Sequence, residues 1–180
     1  MEPTPPSYCL QGRRVILMPF GPDDITDDYI GWLNDPQVVR FSNQRFHRHS
    51  PGTCQKYLSS FMGTNHWFLK IVDGQDGLTI GTMTAYVSAH HRTVDMGILI
   101  GRREAWGQGL GQDAWNTLMG WFLEKAKLRK VTGGAMRANV AMVRIMEKSG
   151  MTLEAVRGAQ ELLEGKPQDL LYYAKFHASN

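Results

Sequence analysis

A turn with glycine at three alternate positions places the tightest constraint on how this chain folds. Gly107, Gly109 and Gly111 follow a strand-like run and overlap the start of a helical pattern at Leu110. Glycine allows backbone conformations in which successive N–H groups point inward, and a helix start adds partial positive charge. The sequence therefore predicts a strand–turn–helix unit that binds a phosphate or pyrophosphate.

The glycine spacing excludes two common nucleotide-binding sites. The dinucleotide fingerprint G-x-G-x-x-G requires glycine at its sixth position, and counting from Gly107 that position is Gln112. The phosphate loop of nucleoside triphosphatases ends in Gly-Lys followed by Ser or Thr, and this turn has no such ending. The predicted anion site must therefore belong to another scaffold.

Length and charge narrow the class of protein. The chain has 180 residues, 42% apolar residues and a net charge of +3, which suits one folded domain and is too weakly basic for direct nucleic-acid binding. No apolar run approaches ~20 residues, so we expect no membrane association. The proline-rich start lacks the features of a signal peptide. We therefore expect a cytoplasmic protein with Cys9 and Cys54 reduced.

Hydrophobic periodicity predicts a mixed α+β fold with the element order β-α-α-β-β-β-α-β-α-β-β. We expect residues 1–12 to form a flexible N-terminus. The expected strands cover residues 14–19, 67–72, 78–87, 93–100, 130–136, 151–157 and 170–176. The expected helices are capped by Asp23 or Asp24 and by Ser50, or begin at Leu110 and Val140.

Three motifs in this order resemble the GNAT superfamily of N-acetyltransferases. They are Asp95-Met-Gly-Ile, Trp106-Gly-Gln-Gly-Leu-Gly111, and the stretch from Asn139 to Met151 that contains Arg144. The likeness covers residues 15–176 and is greatest to the ribosomal-protein and small-amine acetyltransferases. It implies one N-acetyltransferase domain over residues 13–178, with a mixed, mostly antiparallel central sheet and helices on both faces.

The resemblance implies that acetyl-CoA binds at the glycine turn. The turn amides would hold its pyrophosphate, and its pantetheine arm would lie in a splay between residues 98–100 and the strand at 130–136. Trp106 stands where the superfamily often has arginine, so Arg102 or Arg103 is expected to supply the missing charge. The implied cofactor-binding residues are Ile98, Leu99, Ile100, Arg102, Arg103, Trp106, Gly107, Gln108, Gly109, Leu110, Gly111, Asn139 and Arg144.

Acetyl transfer to an amine needs a base, a polarised thioester carbonyl and a departing thiolate. Asp95 stands where the superfamily often has glutamate, and it is the candidate base, acting through water because aspartate is shorter. A structural pairing with Arg92 or with a neighbouring strand is the alternative role. The backbone N–H near Ile98 is the candidate that polarises the carbonyl. Met146 replaces the tyrosine that many members use as the acid, which leaves Ser149, Tyr172 and Tyr173 as candidates.

The acceptor amine is predicted to bind between the loop after the first helix and the turn before Asp95. The expected contact residues are Trp32, Asn34, Phe41, Arg45, His47, His91 and Arg92. A solvated polar loop would explain the same residues. The histidine pairs in these regions lack cysteine or carboxylate partners at ligand spacing, so no metal is expected.

Three acceptors and one non-enzymatic function remain open. The acceptor is expected to be a protein N-terminus or a small amine. The Trp-Leu-Asn-Asp-Pro run also resembles acetyltransferases of nucleotide-linked amino sugars, whose phosphates would suit Arg45, His47 and Arg92. Since Met146 replaces a tyrosine, a non-catalytic acetyl-CoA-binding module is the alternative of another class. An exposed last strand could also pair with a second copy in a homodimer.

Overall fold

A computed structural model describes residues 9–178, which form an eight-stranded sheet with helices on both faces. The strands are β1 (Leu10–Gln11), β2 (Val15–Pro19), β3 (Trp67–Asp73), β4 (Thr79–Ser88), β5 (Thr93–Ile100), β6 (Lys130–Met136), β7 (Thr152–Leu163) and β8 (Lys166–Phe176). The helices are α1 (Asp27–Asn34), α2 (Pro51–Ser59), α3 (Leu110–Gly120) and α4 (Val140–Lys148). Short 3-10 turns lie at Pro22–Asp24, Asn43–Phe46 and Arg103–Ala105, and a π-helical turn follows α3 at Trp121–Lys125.

The sheet separates at its centre. Its order is β1-β2-β3-β4-β5-β6-β8-β7, and each neighbouring pair is antiparallel except β5 and β6. The parallel ladder between β5 and β6 contains three residue pairs and ends at Asp95 and Thr132. Beyond that point each strand stays paired with its outer neighbour while the two diverge. The predicted mixed, mostly antiparallel α+β fold is confirmed, and the divergence leaves a gap in the sheet.

Two apolar clusters assign the helices to opposite faces. Val94 and Met96 of β5 are buried with Trp115 of α3 in the larger cluster, which α4 also joins. The smaller cluster is mainly aromatic, and it packs α1 and α2 against the other face. Because side chains alternate along a strand, Asp95 points to the face that carries α1 and α2.

The capping residue of α1 differs from the predicted one, whereas that of α2 agrees with the prediction. The hydroxyl oxygen of Thr26 accepts a hydrogen bond from the Tyr29 N–H at 3.3 Å and caps α1. Asp24 instead accepts from the Gly21 N–H within the preceding 3-10 turn, at 2.8 Å. The prediction that Asp23 or Asp24 caps this helix is therefore wrong. Ser50 caps α2 as predicted.

The last hairpin is longer than predicted. Glu164 and Gly165 have φ values of 52° and 76°, so they form a two-residue turn, and β8 begins at Lys166. Both strands therefore extend into the stretch between 157 and 170 that was predicted to connect them. β8 lies between β6 and β7, which makes β7 the edge of the sheet. The expectation that the last strand is an exposed pairing edge is wrong.

The chain start is partly ordered. Leu10 and Gln11 pair with β2, which corrects the expected flexible N-terminus at these two residues. Residues 1–8, which carry the rest of that expectation, lie outside the described residues. Within residues 9–178 none of the helices has the length and apolar character needed to cross a membrane. Cys9 and Cys54 are free thiols, and Cys54 is buried on α2.

Candidate cofactor and acceptor site

The glycine turn is a main-chain cradle at the start of α3. Gly107 and Gly109 have φ values of 72° and 82°, and Gly109 is the residue from which α3 begins. The Trp106 indole N–H donates to the Ile100 carbonyl at 2.8 Å. The Arg14 guanidinium donates to the Gln108 carbonyl at 2.6 Å. These bonds fix both sides of an exposed turn, and the first N–H groups of α3 have no partner within the helix.

The start of α4 flanks the same opening, because α3 follows β5 and α4 follows β6. Asn139 caps α4, and its side-chain oxygen accepts from the Met142 N–H at 3.2 Å. That bond leaves the Asn139 amide group as a donor. Arg144 is exposed on the same helix. α3 and α4 are close at this point, since a Cβ at Gly111 would make an ordinary contact of 3.5 Å with the Ile145 side chain.

The edge of β5 presents main-chain groups to the gap. The Thr132 hydroxyl lies 3.4 Å from the Val94 carbonyl oxygen, so this carbonyl faces β6. Peptide directions alternate along a strand, and the β4–β5 ladder is regular from Gly81 and Ile100 onward. The N–H and C=O of Ile98 therefore face the gap too. Leu99 directs its main chain to β4, and its side chain packs among the residues under α1 and α2.

Asp95 lies at the closed end of the gap. Its carboxylate accepts a hydrogen bond of 2.6 Å from the Thr132 hydroxyl. Solvent reaches the side chain, yet the surrounding protein removes enough hydration to raise the pKa of Asp95, and the Thr132 bond acts in the opposite direction. Arg92 makes a different contact from the one considered, because its guanidinium donates to the Lys127 carbonyl at 2.6 Å.

Two of the three candidate acids, Ser149 and Tyr173, are hydrogen-bonded on the face of the sheet that carries α3 and α4, opposite to Asp95. Ser149 is buried and bonds the Asn116 side chain of α3 and the Ile145 carbonyl of α4, both at 2.7 Å. The Tyr173 hydroxyl donates to Glu147 of α4 at 3.0 Å, and its burial raises its pKa. Met146 is fully buried in the cluster of α3 and α4. All three therefore serve the packing of these helices.

Tyr172 is the candidate acid that shares a face with Asp95. It pairs with Gly134 of β6, two residues beyond the Thr132 position that binds the Asp95 carboxylate. The Arg157 guanidinium of β7 lies 5.5 Å from the centre of its ring. Within the described residues the Tyr172 hydroxyl has no hydrogen-bond partner. It therefore lies across the gap from Asp95 with a free proton.

The two arginines expected to replace the missing phosphate contact are engaged elsewhere. Arg103 donates to the Gln37 side chain at 2.6 Å and lies 3.5 Å from the Asp35 carboxylate. Arg102 lies 4.0 Å from the Asp28 carboxylate. Both contacts reach α1 or the loop after it. The predicted phosphate role therefore requires these side chains to leave their present partners.

Residues 43–49 precede α2 and lie over the α1–α2 face, and we call them the 43–49 segment. Asn34 and Arg45 hold this segment in place. The Asn34 side chain bonds both the N–H and the C=O of His49, at 2.9 and 3.0 Å. Arg45 donates to the Leu162 carbonyl of β7 at 3.0 Å. Trp32 lies against the backbone of Gly101, where there is no room for a Cβ. These three predicted acceptor residues therefore shape the site.

The other predicted acceptor residues are spread over the molecule. Phe41 is half-buried with its ring 5.3 Å from the Arg40 guanidinium. His47 is exposed, and its ring lies 6.4 Å from that of His49. Within residues 9–178 no group of three or more His, Cys, Asp or Glu side chains is placed to hold a metal. His47 lines a pocket beside the 43–49 segment.

His91 and Arg92 lie far from the 43–49 segment. Arg45 touches β7 beside the hairpin turn, whereas the β4–β5 turn adjoins the start of β6, which pairs with Phe176 at the other end of β8. β8 has 11 residues. At about 3.3 Å per residue the two regions are roughly 30 Å apart. The structure does not bring them together.

A cavity of about 280 Å³ lies between α1, α2 and the 43–49 segment. Its lining consists of Tyr29, Leu33, Gln44, His47, Arg48, His49, Thr53, Cys54 and Tyr57. The hydroxyl oxygens of Tyr57 and Tyr86 are 3.0 Å apart, and Tyr86 pairs with Asp95 across β4 and β5. Tyr57 and Tyr86 therefore link the cavity wall to the strand position that pairs with Asp95. Sequence reasoning identified His47 alone, because the helical spacing of Cys54 and Tyr57 also fits a core-facing stripe.

Comparison with known proteins identifies a family and a set of similar folds. The profile of the acetyltransferase (GNAT) domain family matches residues 14–152. A solved ribosomal L7/L12 alpha-N-protein acetyltransferase in complex with coenzyme A has a TM-score of 0.83, 13% identity and coverage of 96% of this chain and 100% of that chain. No curated protein sequence matches this chain.

Two further solved structures have the same fold. A spermidine N-acetyltransferase from Vibrio cholerae, in complex with CoA and spermine, has a TM-score of 0.82, 16% identity and coverage of 92% of this chain and 96% of that chain. A ribosomal-protein-S5-alanine acetyltransferase from Vibrio fischeri has a TM-score of 0.80, 14% identity and coverage of 95% and 97%. At these identities the likeness establishes the fold.

Proposed function

We propose that this chain, which belongs to the GNAT family of acetyltransferases, transfers acetyl directly from acetyl-CoA to a primary amine bound on the α1–α2 face. The family establishes that the chain is an acetyltransferase and that acetyl-CoA is its cofactor. The proposed acceptor is a protein N-terminus or a small amine. One observation carries the proposal: the β5–β6 ladder ends at Asp95, so the carboxylate and the Ile98 N–H meet one opening.

The cofactor would bind through main-chain groups. Its pyrophosphate would accept from the N–H groups of residues 107–111, where the positive φ values place the turn at the start of α3. Its arm would lie along Ile98 and Ile100 in the gap, within reach of the free Asn139 amide. Arg144, exposed on α4, would meet a phosphate. We propose residues 13–178 as the domain that performs the reaction.

Asp95 would prepare the amine and Ile98 would stabilise the reacting carbonyl. An ammonium group with a pKa of about 10.4 is mostly protonated at neutral pH. Asp95 would take that proton through water, and its raised pKa makes it a better base than an ordinary aspartate. The amine nitrogen then attacks the thioester carbon, whose oxygen accepts from the Ile98 N–H. The C–S bond would then break, the thiolate would take up a proton, and the acylated nitrogen would release its extra proton to water.

Tyr172 is a proposed source of that last proton. Asp95 and Tyr172 are separated by two strand spacings and two residues along the strand. With about 4.8 Å per strand and about 3.4 Å per residue, their Cα atoms are roughly 12 Å apart across the gap. This separation leaves room for a thioester and an amine between the two side chains.

The nucleotide-linked amino sugar has weaker support as an acceptor. Of the three side chains expected to bind its phosphates, Arg45 bonds the Leu162 carbonyl, Arg92 bonds the Lys127 carbonyl, and His47 alone lines the cavity. A non-catalytic module would bind acetyl-CoA as the proposed enzyme does, but it would not transfer the acetyl group.

Thermal denaturation followed by thiol release tests the proposal. At ~100-fold excess over Kd, CoA is expected to add roughly 2.7 kcal/mol to the free energy of unfolding. Release of free CoA thiol is then measured with an alanine- or serine-initiated peptide, ethanolamine, spermidine and a nucleotide-linked amino sugar. Amine-dependent release supports the proposal. Binding without release on any amine supports the module, and no thermal shift overturns both.

A further inference from the structure

We propose that the cavity between α1, α2 and the 43–49 segment recognises an oxyanion on the acceptor. The preferred acceptor would then be a primary amine that also carries a carboxylate or a phosphate. This inference rests on the proposed function, because it assigns the acceptor of that reaction. It concerns the part of the acceptor that does not react.

The charge of the cavity lining is the first observation. Arg48, His47 and His49 line it, and none of its lining residues is aspartate or glutamate. Arg40 and Arg45 on the same stretch of chain are satisfied by Glu164 and by the Leu162 carbonyl. Arg48 is exposed, and within residues 9–178 it has no ion-pair or hydrogen-bond partner. A polycationic amine would meet like charge here, whereas an oxyanion would meet a free guanidinium.

The state of Tyr29 is the second observation, and it is independent of charge. Tyr29 is 4% exposed and lines the cavity, yet its hydroxyl has no hydrogen-bond partner among the described residues. The hydroxyl oxygen itself is not closed off from solvent, so it opens into the cavity and can donate to a group there. The neighbouring Tyr57 hydroxyl already has a hydrogen-bond partner, in Tyr86. A ligand oxygen in the cavity would accept from Tyr29 and complete its bonding.

The position of the cavity is the third observation. Tyr57 forms part of its wall and contacts Tyr86, whose strand partner is Asp95. An acceptor whose anion lies in the cavity would therefore have its amine directed along the face toward Asp95. Asn34 and Arg45 hold the remaining wall in place through His49 and Leu162.

Matched acceptors test the inference. Phosphoethanolamine is compared with ethanolamine, and the C-terminally amidated dipeptide Ala-Glu with Ala-Gln, so that the two pairs separate phosphate from carboxylate. We expect the anionic member of at least one pair to have a kcat/KM at least about tenfold higher, through a lower KM. Equal values within both pairs, or a preference for spermidine, overturn the inference. In that outcome the proposed function stands, whereas no thiol release with any amine would remove the proposed function itself.

Arg48→Gln and Lys125→Gln form a matched pair of variants. Each removes one exposed positive charge, but Lys125 lies in the turn after α3, away from the cavity lining. Arg48→Gln should raise the KM of the anionic acceptor about tenfold and leave its neutral partner unchanged. Lys125→Gln should change neither KM. Equal effects of the two variants would contradict the inference.

Tyr29→Phe separates recognition from folding. The substitution removes one unpartnered hydroxyl and keeps the ring that packs against Phe20 and Phe68. We expect the KM of the anionic acceptor to rise about threefold or more, while the Tm stays the same or rises. A lower Tm with unchanged KM would show that the hydroxyl serves the fold, and would overturn its assignment to the acceptor.

Discussion

Two opposing effects act on the pKa of the Asp95 carboxylate. Loss of hydration raises its pKa, and the hydrogen bond from Thr132 partly offsets this rise. Between the ordinary pKa of aspartate and this raised value, the folded chain binds more protons than the unfolded chain. Stability therefore falls as pH increases through that interval, and the cost remains at pH 7. The same shift improves Asp95 as a base.

Asp95→Asn should separate activity from stability. We expect kcat to fall about 10²-fold or more, with cofactor affinity unchanged, because the general base is lost. The variant should unfold at a higher temperature than the wild type at pH 7, and this difference should shrink toward acidic pH. Kinetics and thermal denaturation across pH measure both effects. An unchanged pH profile of kcat/KM would rule out Asp95 as the base.

Thr132→Val should move the pH profile without removing the base. Valine keeps the shape of threonine but cannot donate to the Asp95 carboxylate, so the pKa of Asp95 should rise further. The rise of kcat/KM with pH should then occur at higher pH than in the wild type. Thr152→Val, on the exposed edge strand β7, is the control and should leave the profile unchanged. Coincident profiles for the two variants would contradict this positioning role.

At the scale of the element, the positive φ values of the turn before α3 coincide with the proposed pyrophosphate site. Gly109→Val should abolish CoA binding measured by calorimetry, because a side chain with positive φ distorts the turn and blocks close approach to the backbone. Gly77→Val is the matched control. Gly77 has a φ of 74°, against 82° for Gly109, and a Cβ has open space at both.

The Gly77→Val control separates a loss of CoA binding from a loss of stability caused by backbone strain. Both valine variants should lose a similar ~1–2 kcal/mol of stability, since both force a side chain into the left-handed region. Gly77 lies between β3 and β4, so its variant should keep full CoA affinity. Loss of binding in both variants would attribute the effect to general destabilisation.

Asn34→Ala should release the 43–49 segment. It removes two side-chain bonds to the His49 backbone, each worth about 0.5–1.5 kcal/mol. We expect a higher KM for the acceptor and an unchanged affinity for CoA, measured in the same preparation. Asn43→Ala, an exposed residue on the same segment, is the control and should alter neither. A change in CoA affinity would place this segment in the cofactor site.

Element boundaries could be predicted where local patterns define them. Thr93–Ile100 and Lys130–Met136 were predicted to the residue, as was the start of α4 at Val140, because apolar periodicity and flanking turns agree there. β7 extends six residues beyond its predicted end at Arg157. Most of its residues are exposed on both faces, so burial imposes no alternating pattern. The physical signal that sequence reasoning uses is absent from that strand.

At the scale of the molecule, the two halves of the site differ in how far they could be predicted. The cofactor half depends on consecutive main chain from Asp95 to Gly111, so its spacing is visible in the sequence. The acceptor half depends on contacts such as Asn34 with His49 and Arg45 with Leu162, which are 15 and 117 residues apart. Such contacts follow from tertiary packing, and no local pattern predicted the cavity that they enclose.

The short ladder between β5 and β6 is also a narrow joint between two parts of the sheet. Three residue pairs connect a block of five strands, β1 to β5, with a block formed by β6, β8 and β7. A cofactor arm in the gap would bond across the joint and brace the two blocks. The Arg45–Leu162 contact spans the same two blocks, so bracing would also steady the acceptor wall. Hydrogen exchange should therefore slow at Ile98 and across the 43–49 segment when CoA binds; slowing at Ile98 alone would show that the blocks move independently.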